Sequence, residues 1–367
     1  MVTTVPRRAA SAERPSVTDW LRHITALPGV PGHEHHAADE VARAFGPIAD
    51  RVERDRMGCV YAWIEGTGPK PRPRALLAAH LDRIGFLVRG IEKGGFLRVT
   101  EVGGFDPRTL PGREVVLHAK PPVVAVFGTK APHIQKKGES EKVVALEDLY
   151  LDTGRSEAEV RRKVPVGTMV TLRQPPIDLL NGRMAAPGMD DRSGIVVMLR
   201  VLEILAGERP AWDVVAVSTI EEEFGVLSLG ARTSSERVLP DLGIAIDVTH
   251  GDMPDAPEGE TYPLGSGPVL ATGGNVHPGI LGGLRRSAEA LGLPYRIEPC
   301  PNSTFTDAMD IQVAAAGIPT AVLGIPCRYM HTGIETIDPR DVERSAHLLA
   351  HYLGHLSLEW RGGEVLK

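Results

Sequence analysis

The feature that most restricts the fold of this chain is an alternation that breaks off once and then resumes. Short apolar runs of strand length stand at 75–79, 214–218, 242–246, 269–271 and 320–323. Segments with helical apolar spacing, at 191–205, 277–291, 306–316 and 339–358, lie between or after them. A strand that is apolar along its whole length suits a parallel sheet covered by helices on both faces. Alternating strands and helices therefore predict an α/β fold with a mostly parallel sheet flanked by helices. Two more helices, 17–26 with Ser16 or Thr18 as cap and 35–45, precede the first run. Between 91 and 174 the helical spacing vanishes. Short β-type runs at 96–100, 114–118, 123–127 and 168–172 are separated by Gly/Pro turns, the pattern of a small all-β barrel or sandwich. It starts just after one α/β strand and ends just before the next helix, so it reads as an insertion. The expected division is an α/β domain at 16–90 and 175–367, an inserted β-rich domain at 91–174, and a polar tail at 1–15.

A length of 367 residues fits about two domains at ~150 residues each. A formal net charge of −6 argues against nucleic acid as a partner, which calls for a basic face. The longest apolar stretch, 194–204, contains Arg200 and is shorter than the ~20 residues a bilayer needs, so no membrane partner is expected. Three scattered cysteines, Cys59, Cys300 and Cys327, make neither a disulfide framework nor a cysteine zinc site. Their odd number, with no secretory signal, predicts a cytoplasmic protein. Cys327 reads as a pocket-lining residue.

In open α/β sheets ligands bind beyond the carboxyl ends of the strands. The residues past those ends here are His80 and Asp82, then Glu221, Glu222 and Glu223, then Asp247, then the run 324–331 ending at His331; Asp190 stands at the start of the 191–205 helix. Each alone is unremarkable, as a helix cap, a solvated acidic face or a structural histidine. Together they bring two imidazoles and several carboxylates to one sheet edge. Such a set repels itself without a cation, suits Zn, Co or Mn, and has carboxylates enough for two ions. His80, Asp190, Glu223, Asp247 and His331 fill the five ligand positions of a two-metal site, leaving Glu222 or Glu221 as general base. Asp82, two residues after His80, is placed to accept the other imidazole N–H.

The motifs that carry these residues resemble the M42 metallo-aminopeptidases. They are His80-Leu-Asp-Arg-Ile-Gly85, Met189-Asp-Asp-Arg-Ser-Gly194, Glu222-Glu-Phe-Gly225, Ala245-Ile-Asp-Val-Thr-His250 and Arg328-Tyr-Met-His331. Thr306-Asp-Ala308, Gly317-Ile-Pro-Thr320, Gly103-Gly-Phe-Asp-Pro-Arg108 and Lys130-Ala-Pro-His133 fit as well. The resemblance covers about 17–360, and the 110 positions from His80 to Asp190 match that family's inserted dimerisation domain. It implies a zinc-exopeptidase-like α/β fold with a small inserted β-barrel. It implies an aminopeptidase acting on peptides with two divalent ions per chain, Zn or Co first. Asp190 would bridge the ions, His80 and Asp247 would hold one, Glu223 and His331 the other, and Glu222 would be the base. A cis peptide would join Asp190 to Asp191, with Asp191 capping the helix behind the ions. The chain would dimerise through the insertion, and dimers would build a homo-oligomeric dodecamer. Two positions depart from the family's habit, Glu221 where Gln is usual and Thr332 where Ser is commoner; Gly225 sets the register that makes Glu222 the base.

The same donors would serve an acyl-amino-acid deacylase or carboxypeptidase-type amidohydrolase. The β-rich insertion argues against that alternative, whose lid is α+β. Aromatic content of 5% argues against a carbohydrate groove. Segments expected to line the substrate pocket are 264–268, 303–305 and 324–330, where an inward Arg328 would favour acidic substrates.

Overall fold

The structure, a computed structural model, describes residues 15–135, 138, 142–225, 227–257 and 259–360. All but the last residue of the tail expected at 1–15 lies outside the described residues.

Helix α1 (Val17–Thr25) starts from a capping box in which Ser16 and Asp19 satisfy each other's backbone N–H, and α2 (His35–Phe45) follows. Strands β1 (Arg51–Arg54), β2 (Val60–Ile64) and β3 (Arg74–His80) begin the main sheet. Six strands then close a barrel: β4 (Gly85–Ile91), β5 (Leu97–Val102), β6 (Glu114–Leu117), β7 (Val123–Gly128), β8 (Tyr150–Asp152) and β9 (Met169–Leu172). Helix α3 (Glu157–Lys163) lies between the last two. The chain returns through the short β10 (Ile177–Asp178) and β11 (Met184–Ala185). Then come α4 (Met189–Gly207), β12 (Asp213–Thr219), α5 (Leu229–Val238), β13 (Leu242–His250), β14 (Val269–Gly273), α6 (Pro278–Leu291), β15 (Arg296–Cys300), α7 (Ala308–Gln312), β16 (Thr320–Cys327), β17 (Thr336–Ile337) and α8 (Pro339–Gly354).

The main sheet has eight strands in the order β1-β2-β12-β3-β13-β16-β14-β15. Its central strands β12, β3, β13 and β16 run parallel, and antiparallel pairings begin only toward the edges. Apart from the half-buried Arg74 at its start, β3 is buried throughout, as a central strand under helices on both faces must be. The barrel builds its own core by strict alternation. In β7, Val123, Ala125 and Phe127 point inward while Val124 and Val126 face out. Phe86 joins that core, stacked on Phe105 at 4.6 Å and edge-on to Phe127 at 5.3 Å. The α/β fold and the inserted barrel are thus as expected, the barrel closing rather than forming a sandwich. Its first strand begins at Gly85, so the expected boundary at 90/91 falls inside β4. The expected helix at 306–316 shrinks to α7, which stops at the non-helical Val313, and the chain turns at Ala315, whose φ is +50°. Among the described residues no helix is long and apolar enough to cross a membrane.

Candidate metal centre

Five segments deliver polar side chains to the carboxyl edge of the parallel strands. His80 is the last residue of β3, Asp247 sits near the end of β13, Asp190 and Asp191 open α4, and the loop after β12 carries Glu221–Glu223. His331 comes from the loop after β16. They converge tightly. His80 Nε2 lies 3.1 Å from Asp190 Oδ1 and 3.9 Å from both Asp247 Oδ1 and Glu222 Oε2. His331 Nε2 lies 3.4 Å from Asp190 Oδ2 and 3.4 Å from Glu223 Oε1. Asp190 therefore faces one imidazole with each of its oxygens. The donor atoms of His80, Asp190 and Glu223 lie within 4.8 Å of one another, and so do those of His80, Asp191 and Asp247. The Asp190–Asp191 peptide is cis. Asp191 caps the helix through Gly194 N–H at 3.0 Å, while its Oδ2 is buried without a hydrogen-bond partner among the described residues.

The backbone around this cluster is held by other buried carboxylates. Asp82, fully buried, accepts the N–H groups of Glu222 at 3.2 Å and Glu223 at 2.9 Å. The imidazole N–H it was expected to take goes instead to its own backbone carbonyl, 3.0 Å from His80 Nδ1, with the carboxylate 3.9 Å away. Two functions of one residue are thus split: the main chain orients His80 and the side chain shapes the acidic turn. Glu34 accepts the N–H of Glu221 at 3.3 Å. Glu335, missed in the sequence, takes the N–H of Asp190 at 3.3 Å on one oxygen and that of His331 at 3.1 Å on the other. Glu221 and His331 have φ of +56° and +61°, rare for residues with side chains and tolerated where the surroundings enforce them.

The charges explain what such a cluster needs. Burial alone would raise the Asp190 carboxyl, but hydrogen bonds from His331 and His80 hold it well below the carboxylate range. Its neighbours go the other way. Burial, then the nearby Asp190, push Glu223 far up, and burial with Asp190 does the same to Asp247. Glu222 is pushed up to about 9 by burial and by Asp247, Asp307 and Asp82, against the pull of His80. Burial opposes charge on His331, yet Asp190 and Glu223 lift it to about 10. Carboxylates outnumber imidazoles, and among the described residues no lysine or arginine lines the cavity beside them. A bound divalent cation would relieve that crowding, and carboxylate oxygen with imidazole nitrogen is a donor set such a cation accepts. The partnerless Asp191 oxygen fits the same reading.

A cavity of about 950 Å³ opens over the cluster. Glu222 and Glu223 line it, whereas Glu221 does not and turns its carboxylate toward Gly32. The exposed rings of Phe224 and Phe305 flank it. Residues 303–305, Gly324 and Met330 line it as expected, but 264–268 and Arg328 do not; Arg328 is paired with Asp252 at 2.5 Å. Cys300 reaches the cavity and Cys327 is buried away from it. The barrel also contributes, through Glu101, Val102, Gly103 and Gly104.

A family profile described as M42 glutamyl aminopeptidase matches residues 58–348. The lysyl aminopeptidase of Pyrococcus furiosus is 34% identical over 348 residues, 93% of this chain and 98% of that protein. The TET aminopeptidase of a marine sediment thaumarchaeon superposes with a TM-score of 0.88 at 28% identity, over 94% of this chain and 97% of that one. The TET1 peptidase of Pyrococcus horikoshii, which can assemble into a tetrahedron or a large octahedral shell, gives a TM-score of 0.82 at 27% identity, over 93% and 100% of the two chains.

Proposed function

Since the chain belongs to the M42 glutamyl aminopeptidase family of metal-dependent peptide-bond hydrolases, we propose that it removes N-terminal residues from peptides with two divalent cations, zinc or cobalt, held in this cluster. The observation that carries the reading is the meeting of two imidazoles with the carboxylates of Asp190, Glu223 and Asp247, and with that of Glu222 beside them on the cavity wall. Asp190, with an oxygen toward each imidazole, would hold both ions; His80 and Asp247 would hold one, Glu223 and His331 the other. Cations bound there supply Lewis acidity to the scissile carbonyl and to the attacking water. Glu222 takes the proton of that water and hands it to the leaving amine. Positive charge held beside it would lower its carboxyl from about 9 and favour the ionised form a base needs. The deacylase alternative loses its ground, because the insertion is a closed β-barrel and the relatives are aminopeptidases. The setting is cytoplasmic, in keeping with three free cysteines. The outward Val124 and Val126 of β7 would meet a second copy, and dimers would go on to a dodecamer.

Chelation followed by reloading tests the site. Activity on aminoacyl anilides should vanish and return with zinc or cobalt at two ions per chain, and saturation at one ion would overturn the two-metal reading. Glu222→Gln should keep the fold and the ions but lose ~10²–10⁴-fold in turnover, with Glu221→Gln mild. The reverse ranking would shift the base by one residue.

A further inference from the structure

The cavity continues beyond the metal cluster across one face of the sheet. Strands β13, β16 and β15 all reach it: Asp247 and Thr249, Val322 and Gly324, and Glu298 and Cys300 are same-face pairs two residues apart, and Val248 and His250 at the end of β13 line it as well. Between the cluster and Glu298 the floor is small and apolar: Gly324 pairs with Asp247, Ala271 pairs with Glu298, and Val322 stands two residues before Gly324 on β16. At its far end stands the half-buried Glu298. Thr249 Oγ donates to Glu298 Oε1 at 2.8 Å and fixes the carboxylate. The second oxygen has no hydrogen bond, and Glu298 forms no ion pair among the described residues.

We propose that Glu298 reads the N-terminal side chain of the substrate and that this enzyme prefers a basic one, lysine or arginine. The inference rests on the aminopeptidase reading of the cluster, which fixes where the scissile bond lies. Thr249 is two residues past Asp247 on the same face, about 6.6 Å further along the strand, and Glu298 lies beyond its hydroxyl. A side chain leaving the reacting carbonyl must cross that apolar floor before it meets the carboxylate. A lysine or arginine covers the floor with its methylenes and ends in donors for the free oxygen. A leucine fills the floor and leaves Glu298 unanswered. A glutamate brings a like charge to a wall where no lysine or arginine lines the cavity among the described residues. Arg328, the cation that would have favoured acidic substrates, is held by Asp252 outside the cavity.

The test compares the metal-loaded, full-length wild type with Glu298→Gln and Glu298→Lys on the 4-nitroanilides of lysine, arginine, leucine and glutamate. Wild type should cleave the lysine and arginine anilides at least ~100-fold more efficiently than the glutamate one. Losing one charge-assisted contact should lower the lysine-to-leucine ratio of kcat/KM in Glu298→Gln by about 10- to 100-fold. The shift should lie mainly in KM, because Glu298 is remote from the reacting atoms. Glu298→Lys should raise the glutamate-to-lysine ratio. Thr249→Val, which frees the carboxylate without removing it, should move the lysine-to-leucine ratio in the same direction by less. Metal content and melting temperature, measured on every variant, separate a pocket effect from a folding effect. A lysine-to-leucine ratio that changes less than threefold in Glu298→Gln, or a wild type that favours glutamate, overturns the assignment to Glu298 while leaving the aminopeptidase reading intact. A metal-loaded wild type that cleaves none of the four anilides brings down both.

Discussion

Replacing Asp82 should damage catalysis without touching a single group proposed to bind metal or substrate. Its carboxylate is fully buried and accepts the backbone N–H groups of Glu222 and Glu223, the proposed base and a proposed ligand. Asp82→Ala leaves both donors buried and unpaired, at about 1–3 kcal/mol each. Across two donors that is roughly 2–6 kcal/mol, or a fall in Tm of roughly 3–8 °C for a chain of this length. The effect on turnover should be larger in proportion, because misplacing a reacting group by about 1 Å can cost ~100-fold. Metal affinity should also fall, by the ~10- to 100-fold typical when the support of a ligand is removed. Asp82→Asn is the informative companion. Its carbonyl can serve one of the two N–H groups, but its amide turns donors on the other, so it should rescue little. Differential scanning calorimetry, metal analysis at fixed free zinc, and kcat measured under metal saturation separate these effects. If both variants keep kcat within twofold of wild type at saturating metal, the carboxylate does not position Glu222, and its burial is a matter of packing alone.

Glu34 gives a pH-dependent prediction. Burial and the nearby Asp82 raise its carboxyl to about 7, so the folded state binds its proton more tightly than the unfolded chain does. Stability from this group is complete below the ordinary carboxyl range and is lost as the pH rises through 7. Glu34→Gln keeps the acceptor for Gly32 and Glu221 but carries no charge. It should match wild type at about pH 4 and exceed it at about pH 8 by up to about 3 kcal/mol; an equal difference at both values in thermal melts would show that Glu34 does not titrate. On the barrel, the exposed Val124 and Val126 should tolerate Asp in the folded monomer but not across a twofold contact. The double variant should run as a monomer in light scattering, and one that keeps the wild-type mass would move the dimer contact elsewhere.

The parts of the fold legible in the sequence are those where burial acts on both faces of an element. Strands β3, β12, β13 and β16 are near-continuous apolar runs because helices cover them on both sides. Strand β1, written Arg-Val-Glu-Arg, and β15, with Pro299 inside it and exposure along most of its length, are edge strands whose composition answers to water. Helix α5 is equally hard to see, being rich in Ser and Thr with little apolar periodicity. The candidate ligands were readable for a geometric reason: each lies at or just past a strand end, or at the start of a helix facing those ends. Glu335 was not, because it works by accepting two backbone N–H groups, one from His331 four residues before it and one from the distant Asp190, and no pattern of residue types records that. The role of Asp82 was placed one atom group away from where the structure puts it. Spacing brought it to His80, but only the fold shows that its carboxylate is needed at the Glu222–Glu223 turn.

The barrel has more to do with the chemistry than its lack of ligands suggests. A Cβ on Gly103 would stand 2.3 Å from Ile84 Cγ2 and 3.3 Å from Glu223 Oε2, and one on Gly104 would stand 3.5 Å from His331 Nδ1. The loop leaving β5 therefore packs backbone against both side chains proposed to hold the second ion. Gly103 has no room for a side chain there, and its φ of +75° is one that L residues seldom adopt. Glu101 and Val102 continue the same wall of the cavity. An excision of the whole barrel would thus unroof the site as well as remove the proposed dimer contact, and its loss of activity would say nothing about assembly. Substitution on the outer face of β7 avoids this, since Val124 and Val126 point away from the barrel core. The same geometry gives assembly a route to the active site. A second copy seated on the barrel would restrain the element whose β5 loop packs against Glu223 and His331, and the proposed assembly would then bear on the proposed metal site through that one piece of backbone.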